Sequence, residues 1–167
     1  MELPQRKNPR LKDYDYSQNG AYFVTVCTAN RKALLSKIVG QAALCLPTVE
    51  LTEFGKITEK YIENINDVYE YVKVDKYVIM PDHIHLLIII DRPFDGGEIK
   101  GGQGADRPTL NDIVRSVKVM VRKEIGYSIF QNSFYDHIIR NEQDLYETRK
   151  YIENNPLKWE MTKRKED

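Results

Sequence analysis

The stretch YVKVDKYVIMPDHIHLLIII, residues 71–90, decides the fold. Residues 71–80 alternate apolar and polar side chains in their first half, and residues 83–90 are almost continuously apolar and branched. Both patterns predict β-strands. Because only Met80-Pro81-Asp82 separates the two runs, we predict that they form a β-hairpin.

Two of the three histidines in the chain, His83 and His85, lie one residue apart in the second of these strands. Strand side chains alternate, so both imidazoles should point to one face of the sheet, with backbones about 7 Å apart. Two imidazoles can share a divalent ion and leave positions for a third protein ligand and for substrate oxygens. A purely structural, hydrogen-bonded pair is the alternative, and the spacing alone does not exclude it.

The order of the predicted elements indicates the fold class. They are strand 21–29, helix 51–68, strands 71–80 and 83–90, helix 109–126, strand 129–139 and helix 141–155, with 30–50 and 91–108 mostly loop. The candidate N-caps are Thr52, Thr109 or Asn111, and Asn141, and Pro156 should end the last helix. This order predicts an α+β, ferredoxin-like βαββαβ sandwich: an antiparallel sheet with two helices on one face and an extra C-terminal helix carrying a tyrosine.

Length and composition set the class of protein. The 167 residues, 41% hydrophobic and 30% charged, favour a basic arm at 1–20 followed by a single domain at 21–167. The two cysteines form no metal motif, and we find neither a signal peptide nor an apolar run long enough to cross a bilayer. We therefore expect a cytoplasmic protein with no membrane partner.

One face of helix 109–126 is basic. Arg115, Lys118 and Arg122 lie three and four residues apart, so they share that face and could contact phosphates. The formal net charge of zero argues against binding nucleic acid by bulk charge but permits such a local patch. From spacing alone, a solvated face is the simpler interpretation.

The last predicted helix carries a second candidate group. Tyr151 and Asn155 are four residues apart, which should place them on one helix face. A phenol and an amide near a metal ion could supply a nucleophile and a third ligand. Periodicity alone does not distinguish Tyr151 from Tyr146.

Three segments together resemble a known family. YVIMPDHIHLLI, 77–88, resembles the HUH signature (His, hydrophobic, His) of single-tyrosine HUH transposases, and FYDHIIRNEQDLYETRKYIENNPLKW, 134–159, resembles their tyrosine-helix signature. LKDYDYSQNGAYFVTVCTANR, 11–31, is similar to the N-terminal strand of one subgroup, the REP-associated tyrosine transposases. The resemblance covers most of the chain and leaves out residues 30–50 and the glycine-rich loop at 91–108.

The resemblance implies a ferredoxin-like fold and an enzyme that cleaves and rejoins single-stranded DNA, often beside hairpins, through a 5′-phosphotyrosine. Tyr151 would be the nucleophile, and His83, His85 and Asn155 would hold Mg²⁺ or Mn²⁺. The partner would be hairpin-containing single-stranded DNA, on the bacterial nucleoid. The protein would act as a monomer or as a homodimer in which Tyr151 could work in trans.

The remaining matches are less specific. His137 matches a histidine in the family's YDH segment, and a structural hydrogen bond explains it equally well. Glu147, one turn before Tyr151, is a weak candidate for a general base. Asp82 stands where the family usually has Asn, and Phe130-Gln131-Asn132 replaces Trp-Gln-Arg. The alternatives are an inactive DNA-binding module of the same fold and an RNA-binding ferredoxin-like domain.

Overall fold

The computed structural model describes residues 14–40, 46–93 and 107–163. Its elements are β1 (Gly20–Cys27), a 3₁₀ turn (Ala29–Arg31), β2 (Ser36–Val39), β3 (Thr48–Leu51), α1 (Glu53–Glu63), α2 (Ile65–Val68), β4 (Val72–Ile79), β5 (His83–Ile90), α3 (Leu110–Ile125), β6 (Tyr135–Ile139), α4 (Glu142–Glu153) and α5 (Asn155–Lys163). Most of the predicted arm and most of the predicted loop 91–108 lie outside the described residues.

Four strands form one antiparallel sheet in the order β4-β5-β1-β6. The predicted hairpin over residues 71–90 is confirmed, because β4 and β5 are antiparallel neighbours joined at the predicted break. β5 lies inside the sheet, between β4 and β1. The α+β class is confirmed, and the second strand of the hairpin spans the predicted residues 83–90.

One face of the sheet carries the hydrophobic core. The β5 residues that alternate with the two histidines are at most 1% exposed; they are Ile84, Leu86, Ile88 and Ile90. They belong to one buried cluster with Ile113 and Val117 of α3 and Ile62 of α1. Burying each such side chain contributes about 1.5–3 kcal/mol. The opposite face of β5 is also covered, which explains why its sequence is apolar almost throughout.

The prediction that residues 30–50 are mostly loop missed two short strands. β2 lies within this segment and pairs with β3, which begins in it, as a separate two-stranded antiparallel sheet. Each strand has only four residues, which is too short for an alternation pattern to stand out in the sequence. β3 leads directly into α1, whose predicted N-cap is confirmed because Thr52 Oγ1 accepts the N–H of Gly55 at 3.2 Å.

The predicted strand 129–139 is shorter than expected. Only Tyr135–Ile139 pairs with β1, and Phe130 forms an isolated bridge to Thr28. The carbonyls of residues 131–133 accept hydrogen bonds from the Lys118 ammonium instead of from a neighbouring strand. At these positions a side chain on α3, rather than a neighbouring strand, pairs with the backbone that the alternation predicts to be a strand.

The last predicted helix, 141–155, is two helices. Asn141 caps α4 as predicted, by accepting the N–H of Asp144 at 2.8 Å. α4 ends at Glu153, and Asn155 begins α5. The sequence did not predict α5, because Pro156 looked like a stop; proline is equally suited to the first turn of a new helix.

Candidate active site

The two histidines of β5 come together on the face of the sheet opposite the core. His83 and His85 are 8% and 4% exposed, and their Nε2 atoms lie 3.1 Å apart. The predicted placement on one face is therefore confirmed. The ring centroids are 4.6 Å apart, with the planes at 70°, so the rings converge at their Nε2 edges.

The outer nitrogen of each histidine has its own polar neighbour. His83 Nδ1 lies 2.5 Å from the Asp82 carboxylate, and His85 Nδ1 lies 2.8 Å from the Thr25 hydroxyl. Such partners fix the orientation of an imidazole and select which nitrogen carries the proton. The sequence missed both roles: Asp82 appeared only as a departure from the family pattern, and Thr25 depends on the β1–β5 register, where it faces His85.

Burial keeps one of these imidazoles neutral. Removal from water, together with the smaller effects of the neighbouring His83 and Arg31, lowers the pKa of His85 from 6.5 to about 3. A neutral imidazole has a lone pair available for a metal ion.

The pair fits a divalent cation. If the Nδ1–H of each histidine donates a hydrogen bond to its polar neighbour, both Nε2 atoms are unprotonated and their lone pairs face each other. A shared cation would stabilise this arrangement. Ligand nitrogens at about 2.1 Å from an ion can be about 3 Å apart, and the observed separation is 3.1 Å. Among the described residues no cluster of three or more His, Cys, Asp or Glu side chains could hold a metal. A third protein ligand would therefore have to be of another type, such as an amide.

Tyr151 on α4 lies beside this pair. Its ring centroid is 5.3 Å from that of His85 and 5.8 Å from that of Phe23 on β1. Its side chain is 39% exposed, so the phenol is accessible to a large substrate. The neighbouring Tyr146 is also exposed; the structure distinguishes the two because Tyr151 contacts a histidine of the pair.

Asn155 is buried, with 6% of its surface exposed. The sequence predicted that it shares a helix face with Tyr151, but the two residues lie on consecutive helices. Asn154 between them has φ −88° and ψ 1°, which interrupts the helical path. The simple four-residue spacing argument therefore does not apply to this pair.

Ion pairs fix α4 to its own sheet. Arg149 makes two hydrogen bonds, of 2.8 and 2.9 Å, to the two carboxylate oxygens of Asp75. Asp75 lies at a β-bulge of β4, between Val74 and Lys76, and the Arg149 hydrogen bonds lower the pKa of its carboxyl group. Lys76 also pairs with Glu153. Both pairs join the tyrosine helix to β4 of the same chain.

An open groove of about 540 Å³ runs beside Tyr151. Its lining includes Phe23, His137, Glu147 and Lys158. His137 Nε2 lies 3.0 and 3.1 Å from the two oxygens of Asp144, so a hydrogen bond is present here. Glu147 is exposed and accepts an amide N–H from Gln143 at 2.8 Å.

α5 supplies two site neighbours that the sequence did not indicate. The indole of Trp159 lies with its centroid 6.0 Å from that of His83. The Lys158 ammonium lies 4.6 Å from the centroid of the Tyr151 ring. Both residues stand inside the tyrosine-helix signature, but only knowledge of the second helix places them against the site.

The basic face of α3 lies in a separate groove of about 460 Å³. Arg115 and Arg122 are exposed there, and the half-buried Gln131 of the following loop also lines the groove. The Lys118 side chain also lines this groove, and its ammonium donates to the carbonyls of residues 131, 132 and 133 at 2.9–3.2 Å. These contacts hold the Lys118 side chain against the loop that follows α3.

Comparison with known proteins gives consistent relatives. No protein-family model matches the chain. An uncharacterized protein of Haemophilus influenzae is 32% identical over 95% of this chain and 92% of its own length. A putative REP-associated tyrosine transposase of the same organism is 27% identical over 86% of this chain and 74% of its own length.

A solved structure of a REP-associated tyrosine transposase bound to a REP hairpin has the same fold. The TM-score is 0.60 at 20% identity, covering 89% of this chain and 73% of that one. Its four-stranded sheet and helices match those described above.

Across the described residues, no helix is both long and apolar enough to cross a membrane.

Proposed function

Because the chain belongs to the REP-associated tyrosine transposase family, we propose that it cleaves and rejoins single-stranded DNA beside hairpins. One observation supports this most directly: the ring of Tyr151 lies 5.3 Å from that of His85 in the same chain. A nucleophile and a potential metal-binding pair are thus adjacent without a second subunit. We also assign the strand order β4-β5-β1-β6 to the ferredoxin-like βαββαβ arrangement.

In the proposed reaction, the Tyr151 hydroxyl oxygen attacks the phosphorus of a scissile phosphodiester. A new Tyr–O–P bond forms, the bond from phosphorus to the 3′ oxygen breaks, and that oxygen keeps the electron pair. The phenol gives its proton to solvent, and the leaving oxygen takes up a proton to become a 3′-hydroxyl. The energy of the phosphodiester bond is conserved in the 5′-phosphotyrosine. A different 3′-hydroxyl can therefore attack this linkage in the reverse reaction and rejoin the strand without ATP.

His83 and His85 would hold Mg²⁺ or Mn²⁺, and the Asn155 amide is the proposed third ligand. When bound, such an ion polarises the phosphate and offsets its negative charge. The protein's own contribution is positional: Asp82 and Thr25 orient the two imidazoles, and the Arg149–Asp75 pair fixes the helix that carries Tyr151. Holding reacting groups in place removes much of the entropic cost of reaction.

The basic groove on α3 is the proposed site for the DNA backbone, through Arg115 and Arg122. It is connected to the histidine pair by short contacts: the Gln131 N–H donates to the Cys27 carbonyl at 2.9 Å, and Cys27 faces His83 in the β1–β5 register.

The test is a covalent-adduct assay. Labelled single strands carrying a hairpin with randomised flanks are incubated with protein and Mn²⁺, and adducts are separated on a denaturing gel. Wild type should form an adduct, and chelation by EDTA should prevent it. Tyr151→Phe should form none, whereas Tyr146→Phe, a matched exposed tyrosine on the same helix, should retain it. An adduct formed by Tyr151→Phe would exclude Tyr151 as the nucleophile.

His83→Ala separates the metal site from the nucleophile. We expect it to abolish the adduct while leaving hairpin binding intact; full activity would refute the proposed metal ligands. Binding of the hairpin pool by wild type without any adduct would instead favour a DNA-binding module that lacks chemistry. Stronger binding to the same sequence as RNA would favour an RNA-binding domain.

A further inference from the structure

Two lysines line the groove beside Tyr151, and each lies over a tyrosine ring. The Lys158 ammonium is 4.6 Å from the centroid of Tyr151, and the Lys150 ammonium is 4.5 Å from the centroid of Tyr146. The two contacts are nearly identical in geometry. They differ in the tyrosine that receives the cation, because only the Tyr151 ring contacts a histidine of the pair.

The backbone of Lys158 is held firmly. Its N–H donates to the Asn154 carbonyl at 3.0 Å, and Asn155 and Pro156, which precede it in the first turn of α5, are buried. Trp159, the next residue, packs near the His83 ring. The base of the lysine side chain is therefore fixed at the groove, while its ammonium remains accessible.

Among the residues that the structure describes, no carboxylate neutralises the charge of Lys158. Within residues 14–40, 46–93 and 107–163, no carboxylate forms an ion pair with it, whereas Lys60 and Lys76 each pair with a glutamate. An exposed ammonium held beside a nucleophile, with no anion of its own, is suited to an anionic group of the substrate. In single-stranded DNA that group is a phosphate.

We propose that Lys158 binds a non-bridging oxygen of the scissile phosphate, next to Tyr151. This rests on the proposed cleavage of DNA by Tyr151 and names a residue that holds the reacting group. The ammonium orients the phosphate toward the phenol and offsets the negative charge that accumulates on its oxygens during attack. Lys150 lies over Tyr146 and not beside the proposed nucleophile, so it serves as the matched control.

The experiment compares binding to a charged and an uncharged linkage. Sequencing of the strand joined to wild type first gives the scissile position. Two hairpin substrates are then made, one with a phosphate and one with a neutral methylphosphonate at that position. Affinities are measured by fluorescence anisotropy in the Tyr151→Phe background, which keeps the aromatic ring and prevents cleavage.

We expect Lys158→Gln to weaken binding of the phosphate substrate about fivefold and to leave binding of the methylphosphonate substrate unchanged. Lys158→Arg should keep the positive charge and so restore the stronger binding of the phosphate substrate relative to the methylphosphonate substrate. Lys150→Gln should change the affinity for either substrate by no more than about twofold. With Tyr151 intact, Lys158→Gln should also slow adduct formation at saturating DNA.

Two results would overturn the inference while leaving the proposed function in place: equal weakening of both substrates by Lys158→Gln, or the same pattern for Lys150→Gln. If wild type forms no adduct, the proposed function fails, and the role of Lys158 fails with it. The adduct assay and the binding cycle therefore report on the two proposals separately. Because Lys158 is exposed, thermal unfolding should be unchanged, which checks that the variant is folded.

Discussion

Different interactions attach the helices to the two faces of the four-stranded sheet. α3 buries five residues, all of them in the hydrophobic cluster beneath β5: Leu110, Ile113, Val114, Val117 and Val121. α4 buries only Thr148 and Ile152 and is tied to β4 by the Arg149–Asp75 and Lys76–Glu153 pairs. The first face is apolar, and the second carries the histidines, Tyr151 and ion pairs.

This difference separates stability from activity. Apolar burial is not directional, so the α3 face can provide folding free energy without fixing any one atom. Bidentate hydrogen bonds are directional and add little net stability at a partly exposed surface, but they fix position. Substitutions on the core face should therefore affect folding most, and substitutions on the histidine face should affect the proposed metal binding and cleavage most.

The largest effect should come from the core face. Ile113→Ala removes a fully buried side chain of α3 and should lower the free energy of unfolding by about 2–5 kcal/mol. Val119→Ala, on the exposed side of the same helix, should cost about 0.5 kcal/mol or less. Urea denaturation measures both. Similar losses for the two variants would contradict the assignment of the core to this face.

The next effect tests the histidine face directly. Thr25→Val keeps the side-chain shape but removes the hydroxyl 2.8 Å from His85 Nδ1, and it should weaken Mn²⁺ binding about 10- to 100-fold. Thr25→Ser should bind almost normally because it retains the hydroxyl. Isothermal titration with Mn²⁺ gives the affinities. Unchanged affinity in Thr25→Val would show that this contact does not orient the imidazole.

A smaller effect is expected from the anchor of the tyrosine helix. Asp75→Asn should slow adduct formation about tenfold, because α4 loses its charged anchor and the phenol is less well placed. The free energy of unfolding should fall by no more than about 1 kcal/mol. Lys76→Gln, which removes the more exposed pair to the same helix, is the control and should change the rate less than about twofold. Equal slowing in both would mean that neither pair is specific.

The smallest effect concerns pH. Arg149 lowers the pKa of the Asp75 carboxyl group in the folded protein. The pair therefore stabilises the fold fully when the pH is above the pKa that Asp75 has in the unfolded chain. This stabilisation is lost as the pH falls through the lower pKa that Asp75 has in the folded protein. The NMR signal of the Arg149 Nε–H should therefore persist from pH 8 to about pH 5 and weaken only below about pH 4. Loss near neutral pH would indicate that another group controls the anchor.

Local sequence patterns were sufficient where an element is long or strongly patterned. The β4–β5 hairpin follows from alternation and from one short break, and the caps Thr52, Thr109 and Asn141 follow from residue type. The shared face of His83 and His85 follows from strand geometry alone. These features depend on residues close together in the chain, which is what a sequence pattern records.

Features that depend on contacts between distant segments could not be predicted. Thr25 becomes a neighbour of His85 only through the β1–β5 register, sixty residues along the chain. The spacing of Lys118 predicts a DNA-binding stripe, but it does not reveal that the Lys118 ammonium donates to the carbonyls of residues 131–133. Lys158 reaches Tyr151 because a second helix follows Asn154, and a proline in the sequence signals a helix start as readily as a helix end.

The single-residue junction at Asn154 makes this site sensitive to chain length as well as to residue type. One inserted or deleted residue there would turn α5 by about 100° relative to α4, moving Lys158 and Trp159 away from their positions while leaving Tyr151, the sheet and the core untouched. We expect such an indel to remove the proposed cleavage without unfolding the protein. The junction is therefore a place where a lineage could lose that proposed activity and keep the fold in one genetic step.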